Sequence, residues 1–489
     1  MGYKNLRECL DALKASGELH EISAEVDPVL EITEIYDRVV KKQGPALYFH
    51  HVKGSKFPLV INLFGSPERM SRALGVGNVQ EIADRIRSFT DRVPPEAFLE
   101  KLKTIPKLAE LGAMIPKKVK SAPCQEVIVK AGQGPMLDAL PVIQCWPKDG
   151  GKFITLPMVF TRDPETGRRN VGLYRMHVYD NETTGMHWQI HKDGADHYRR
   201  LEKGSGKRLE VAVVLGADPA TMFSAACPLP PGMDELMFAG FVRKSPVEVV
   251  ACKTVNVEVP AQAEIVLEGY VQEGEMRMEG PFGDHTGFYS RAKEFPVFHV
   301  TCMTHRKDPV YVTTAVGRPP MEDCHMGKAI ERIFLPLIQK HLPEITDMHL
   351  PWEGCFHNFL IVSIRKTYPD QAKKVMSAIW GLGQMMFSKC ILVMDEGDHI
   401  QDLKEVAWRA FNNVDPKRDI VFTEGPVDEL DHSASRDFVG SKMGIDATRK
   451  LPEEGMKRPW PQDMTMDPRV TEQVTARWKE FGFDSGRSS

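Results

Sequence analysis

Leu6, Leu10 and Leu13 fall on one face of a helix, and a helical period of apolar residues returns at 30–40, after Asp27-Pro28, and at 79–89. Between these lie two short runs of strand length and β-type composition, 46–50 and 58–63. The pattern predicts an N-terminal α/β region. A Pro- and Lys-rich stretch from Pro94 to Pro123 follows, with Lys101, Lys103, Lys107, Lys117, Lys118 and Lys120, and reads as a connector with a solvated charged face. From 126 to 316 the chain turns β-rich. Residues 209–215, 247–259, 263–271 and 295–303 carry β-branched residues bounded by Pro and Gly, which favours a barrel or sandwich over a doubly wound sheet. Helical and strand patterns then alternate: helix at 326–341, strand at 358–364, helix at 371–387, strand at 390–394, helix at 403–411, strand at 419–423. Parallel βα units are the natural expectation there. Val470, Val474, Trp478 and Phe481 mark an amphipathic helix over 468–482, able to dock on its own chain or on a second subunit. The expected division is 1–115, 116–325, 326–455 and a tail, 456–489.

Composition narrows the function classes. A chain of 489 residues corresponds to two to four domains at about 100–200 residues each. Lys plus Arg number 63 and Asp plus Glu 67, so nothing in the charge balance favours a nucleic-acid backbone as partner. Nine scattered cysteines, the nearest pair being Cys124 and Cys145, make no zinc-type spacing and read as reduced thiols. The start MGYKNLRECL lacks the apolar stretch of a signal peptide, and no uncharged apolar run reaches spanning length. A soluble, cytoplasmic protein is expected.

Phosphate-loop, GxGxxG, HExxH and GxSxG signatures are absent. One polar constellation remains, in three segments of the β-rich middle. The first runs from Asn170 to Arg175 and on through His187 to His191. Those two histidines share a face in either helix or strand, which taken alone suits a structural pair as well as a metal site. In the second, Glu235 opens an apolar stretch at 236–242, ordinary chemistry for a helix N-terminus. The third, Met278-Glu-Gly-Pro-Phe-Gly-Asp-His-Thr-Gly287, sets Glu279, Asp284 and His285 on a Gly/Pro-shaped loop. Asp284 could simply cap a turn there. If the loop lines a cavity, Arg175 would keep one carboxylate ionised while a desolvated second one held a proton.

Read together, these segments resemble the UbiD family of prenylated-flavin-dependent (de)carboxylases. The likeness also rests on Asp27-Pro-Val-Leu-Glu-Ile-Thr-Glu34, Asn62-Leu-Phe-Gly-Ser66, Leu215-Gly-Ala-Asp-Pro219, Gly317-Arg-Pro-Pro320 and Gly440-Ser-Lys-Met-Gly-Ile-Asp-Ala-Thr448, in that order along nearly the whole chain. The resemblance implies a split β-barrel, flavin-reductase-like, as the middle domain between two α/β domains, and a homo-oligomer, dimer or hexamer, with the tail helix at its interface. It implies prenylated FMN, supplied by a partner prenyltransferase, with its phosphate held by Mn2+ or another divalent ion on Asn170, His191 and Glu235. That donor set, an amide oxygen, an imidazole and a carboxylate, suits such an ion. A K+ held by backbone carbonyls is implied nearby.

The same resemblance assigns cofactor contacts to Leu173, Tyr174, Arg175, His187, Trp188, Gln189, Lys192, Ala226 and Cys227, and a phosphate contact to Lys442. It makes Arg175 and Glu279 the pair that orients the substrate carboxylate, and Asp284 the proton donor. The reaction implied is reversible, non-oxidative decarboxylation of an aromatic or α,β-unsaturated carboxylic acid. Relatives acting on cinnamate-like acids carry Glu at the position of Asp284, so the shorter side chain points to hydroxyarene or quinone-precursor acids. His187 stands where the ubiquinone-branch members carry Arg, which leaves the pathway open. His325 reads as a buried structural residue, with a substrate-facing position as the alternative. Two other functions fit the residues: a carboxylase or a non-catalytic flavin-binding subunit of a carboxylase complex, and a metal-dependent hydrolase using His187, His191 and Glu279.

Overall fold

A computed structural model describes residues 2–91, 114–189, 193–201, 207–229 and 233–483. Most of the expected Lys-rich connector, together with His191 and Lys192, lies outside the described residues.

The first helix, Leu6–Ala15, is capped by Asn5, whose side chain accepts the Glu8 N–H at 3.0 Å, and it buries Leu6, Cys9, Leu10 and Leu13. The expected helices at 30–40 and 79–89 are Glu31–Val40 and Gln80–Asp91. The expected strands form a four-stranded sheet in the order Leu19–Val26, Ala46–Val52, Leu59–Ile61, Tyr311–Val312. Its last strand returns from the far end of the β-rich region and pairs parallel to Leu59–Ile61.

The middle is an antiparallel seven-stranded sheet. Its path runs Thr183–Gly185, Lys293–His305, Ile265–Glu279, Arg208–Leu215, Met158–Arg162, Arg169–Leu173, with Val127–Lys130 beside Lys293–His305. The long hairpin Ile265–Glu279/Lys293–His305 shifts register twice, after Glu268 and after Val271, and such bulges bend a sheet. Arg169–Leu173 and Thr183–Gly185 end the ladder without pairing to each other, so the hydrogen-bonded sheet is open among the described residues. The expected single strand at 247–259 is instead a hairpin, Glu248–Ala251 and Glu258–Pro260, because the polar 252–257 stretch turns back on itself.

Helix Glu322–His341 leads into a five-stranded sheet ordered Ile345–His349, Phe359–Ile364, Cys390–Asp395, Val439–Asp446, Ile420–Pro426. Only the middle three strands are parallel; the outer two run antiparallel to their neighbours, which corrects the expectation of parallel units throughout. The expected helix at 371–387 ends at Trp380, where Gly381 and Gly383 interrupt it, and resumes as the 3-10 turn Gly383–Phe387. In the tail, helix Pro468–Ala476 buries none of its residues, leaving Val470, Val474, Trp478 and Phe481 exposed. Among the described residues no helix is long and apolar enough to cross a membrane.

Candidate active site

The ends of the long hairpin set the site. Glu279 is the last residue of its first strand, and the chain loops through Asp284 before entering Lys293–His305. Arg175 lies in the two-residue gap between Arg169–Leu173 and Met176–His177. Its guanidinium joins the two carboxylates. Nε donates to Glu279 Oε1 at 3.0 Å, Nη1 donates to Asp284 Oδ2, and Nη2 donates to Ser290 Oγ at 3.3 Å. The Phe282 ring lies 4.7 Å from the guanidinium carbon, an added cation–π contact. The second Glu279 oxygen meets His187 Nδ1 at 2.5 Å.

The loop is held in place from below. Asp149 accepts the Gly283 N–H at 2.7 Å and the Trp146 N–H at 2.8 Å. Gly283 is required by proximity, since a Cβ there would sit 2.3 Å from Trp146 Cδ1.

Burial raises the pKa of both Glu279 and Asp284, but their partners outweigh it. Arg175 and His187 hold Glu279 below its ordinary range; Arg175 and His285 hold Asp284 well below. Both carboxylates are therefore ionised in this arrangement. A single guanidinium reaches both.

Arg175 and Asp284 open onto a cavity of about 430 Å³ between the central sheet and the C-terminal region. Leu173, Tyr174, His187, Gln189 and Ala226 share its wall, with Met326, Ile330 and Phe387 opposite. Glu279 lies behind Arg175, fully buried. Trp188 is buried next to the wall, its Nε1 without a hydrogen-bond partner among the described residues, and Cys227 follows Ala226 with its thiol on Phe223 O at 3.4 Å. His325 is buried against Trp352 and does not line the cavity.

Asn170 and Glu235 come together behind Tyr174. Asn170 Nδ2 lies 3.5 Å from the Tyr174 hydroxyl, and Glu235 Oε2 accepts the N–H of Val171 at 3.1 Å. Asp234, not Glu235, caps helix Glu235–Arg243, freeing the Glu235 carboxylate for another role. Burial pushes Glu235 up to about 8. A buried carboxylate beside an amide is chemistry that suits a divalent cation, although among the described residues no three His, Cys, Asp or Glu side chains gather as a metal cluster. The third expected ligand, His191, lies outside the described residues, as does Lys192.

Lys442 is placed differently from the expectation. It is buried and donates to the carbonyls of Met386 and, at 3.1 Å, Ser388, beneath the turn that walls the cavity, and it does not reach the cavity itself. Burial lowers it to about 8.

Sequence reading missed two cavity-lining groups, Asp323 and His357, and Asp149 beneath the loop. Asp284-His285 adjacency was visible, but His357 comes from 72 residues away, with His285 Nε2 and His357 Nε2 2.8 Å apart. No local motif marks it.

A buried arginine thus joins two carboxylates beside a largely apolar cavity. Family-wide comparison gives the class. Residues 117–319 match the Rift-related domain of 3-octaprenyl-4-hydroxybenzoate carboxy-lyase, residues 324–447 its C-terminal domain and residues 10–86 its N-terminal domain. The chain belongs to the UbiD family and is a carboxy-lyase of that family. It is 49% identical over 482 residues to an uncharacterized protein of Archaeoglobus fulgidus, covering 98% of this chain and 99% of that one. An uncharacterized protein of Aquifex aeolicus is 48% identical, covering 99% and 100%.

Among solved structures, the UbiD-class enzyme HmfF from Pelotomaculum thermopropionicum in complex with FMN is 30% identical, with a TM-score of 0.78 over 96% of this chain and 98% of that one. Vanillic acid decarboxylase of Sedimentibacter hydroxybenzoicus is 26% identical. Its closed form superposes with a TM-score of 0.85, over 99% of this chain and 100% of that one, and its open form with 0.78. The described arrangement is nearer the closed form.

Proposed function

We propose that the chain catalyses reversible, non-oxidative decarboxylation of an aromatic carboxylic acid, hydroxyarene or quinone-precursor acids ahead of α,β-unsaturated ones, with prenylated FMN. The observation that carries this is Arg175, shared by two buried carboxylates at the wall of a 430 Å³ cavity. The matches to structures with bound FMN and prenylated FMN support the cofactor. The open, bulged sheet is read as the split-barrel frame, the four regions keep the boundaries expected above, and a second copy covers the tail helix.

Asn170, His191 and Glu235 would hold Mn2+, or another divalent ion, against the cofactor phosphate, with K+ nearby. Bound prenylated FMN supplies an electron sink that side chains lack. The chain's own residues then manage charge and proton. A substrate carboxylate entering the cavity competes with Asp284 for Arg175 Nη1. Asp284, parted from its cation and facing a second anion, has its pKa raised and takes up a proton. Glu279 stays ionised between Arg175 Nε and His187, so Arg175 keeps its orientation. The cavity's apolar wall excludes water from the carbon that loses carbon dioxide. Asp284 then delivers its proton to that carbon, and the reverse sequence serves carboxylation.

The test is mass spectrometry of the cofactor bound after co-expression with a flavin prenyltransferase, followed by turnover in deuterated water. Prenylated FMN and one deuterium at the decarboxylated carbon are expected, with turnover abolished in Glu279→Gln. A wild-type rate in Glu279→Gln, or hydrolysis without flavin, refutes the reading.

A further inference from the structure

We propose that Asp323 is a specificity residue of the active-site cavity, where its carboxylate accepts a hydrogen bond from a hydroxyl group on the substrate ring and so selects hydroxylated aromatic acids. The inference rests on the decarboxylase reading and deepens it, by naming the group that recognises the part of the substrate away from the scissile carboxylate.

Helix Glu322–His341 opens with two acids that are used differently. Glu322 is fully buried and committed to the fold: Oε1 accepts the Phe64 N–H and Oε2 the Thr314 hydroxyl, each at 2.7 Å. Asp323 instead lines the cavity that Arg175, Asp284 and His285 also line. Met326, Gly327 and Ile330 of the same helix line it too, and with Asp323 they fall at the i, i+3, i+4, i+7 spacing of one helix face. That face presents a single ionisable side chain at the head of an apolar stripe.

The carboxylate of Asp323 has capacity to spare. Its Oδ1 is inaccessible and has no hydrogen-bond partner among the described residues. The residue as a whole is part-exposed, so Oδ2 is the oxygen the cavity can reach. Neighbouring polar groups are already engaged. Thr155 Oγ1 donates to the Thr314 carbonyl, Thr314 bonds Glu322, and Asp428 Oδ1 accepts the Leu430 N–H at 2.9 Å. Asp284 is held by Arg175 and His285.

A buried carboxylate is costly unless something stabilises its charge. The first turn of the helix favours a negative group there, and His285 attracts it. Burial pushes Asp323 up to about 6 against that attraction, which leaves it ionised at pH 7. An ionised carboxylate only accepts hydrogen bonds, so the substituent that fits it is a donor. A ring hydroxyl supplies one. A methoxy group supplies none, and a second carboxylate adds repulsion. The same repulsion sets the orientation. The substrate carboxylate goes to Arg175, the cation of the cavity wall, and the hydroxyl is left to meet Asp323.

The test uses the prenylated-FMN holoenzyme as wild type, Asp323→Asn and Asp323→Ala, with bound flavin and Tm measured for each. The acids are 2-, 3- and 4-hydroxybenzoate, their methyl ethers, and benzoate. In wild type, kcat/KM for at least one hydroxy acid is expected to exceed that for its methyl ether and for benzoate by about 10–100-fold, the range for a hydrogen bond to a charged group. In Asp323→Ala that ratio should fall to near unity, chiefly through a raised KM for the hydroxy acid. Asp323→Asn keeps an acceptor oxygen without the charge and should fall between the two. Structural damage would slow all the acids alike and leave the ratio unchanged. A ratio unchanged in Asp323→Ala, or in Asp323→Asn if the alanine variant loses its flavin, overturns the assignment of Asp323 and leaves the decarboxylase reading standing. So does a wild type that decarboxylates benzoate and the methyl ethers as well as the hydroxy acids. Wild type that turns over none of these acids overturns the hydroxyarene reading and the role of Asp323 with it.

Discussion

Arg175→Ala leaves Glu279 and Asp284, both almost fully buried, facing each other with no shared cation. Removing one partner of a buried ion pair costs about 3–5 kcal/mol, and here one removal strips two carboxylates. The loss stays within that range because one of the two takes up a proton instead of remaining ionised. The pH dependence is more diagnostic. In wild type both carboxylates sit below their ordinary values. Their contribution is complete above the unfolded values of about 4 and disappears as pH falls through the lower folded ones. In the variant the sign reverses. The folded state now binds more protons than the unfolded one above about pH 4, so stability falls as pH rises, by about 1.4 kcal/mol per pH unit for each proton held. Urea denaturation of both proteins at pH 5, 6 and 7 reads the difference. The gap should be about 3–5 kcal/mol at pH 7 and smaller by about 2–3 kcal/mol at pH 5. A gap below about 1 kcal/mol at pH 7, or one equal at both pH values, would refute the shared-cation account.

Three further outcomes follow from single side chains. Lys442, lowered to about 8, is neutral in the folded state between about pH 8 and 10 and takes up a proton on unfolding, so wild-type stability should rise over that range by up to about 1.4 kcal/mol per unit; Lys442→Met should flatten that rise in a denaturation series. Gly283→Ala should cost about 1–3 kcal/mol by overpacking against Trp146, read as a lowered Tm together with a lowered kcat from the displaced Asp284 loop. Mn2+ should raise the Tm of the wild type and not that of Glu235→Gln, because the buried carboxylate is gone; an equal increase in both proteins would remove Glu235 from the metal site.

Much of this was legible in the sequence, for physical reasons that differ by element. Helix Leu6–Ala15 and strand Arg208–Leu215 announce themselves because one buries a 3.6-period stripe and the other is an apolar run after Arg208 broken only by Glu210. No strand was expected at Val439–Asp446; its glycines and Lys442 give no apolar pattern, and its neighbours on both sides make it a strand. Arg175, Glu279 and Asp284 could be picked out as types and grouped by resemblance. Their ionisation could not, since it depends on one guanidinium reaching both carboxylates. Asp149 and His357 act through contacts 134 and 72 residues apart in sequence, beyond any local pattern.

The central claim is tested most directly by following carbon dioxide release and deuterium incorporation together, in the prenylated-FMN holoenzyme in deuterated water, for wild type and Asp284→Asn. The account predicts one deuterium per carbon dioxide in wild type, at the carbon that bore the carboxyl group, and in Asp284→Asn a single carbon dioxide burst without deuterated product. Sustained, deuterated product formation by Asp284→Asn at the wild-type rate would contradict it.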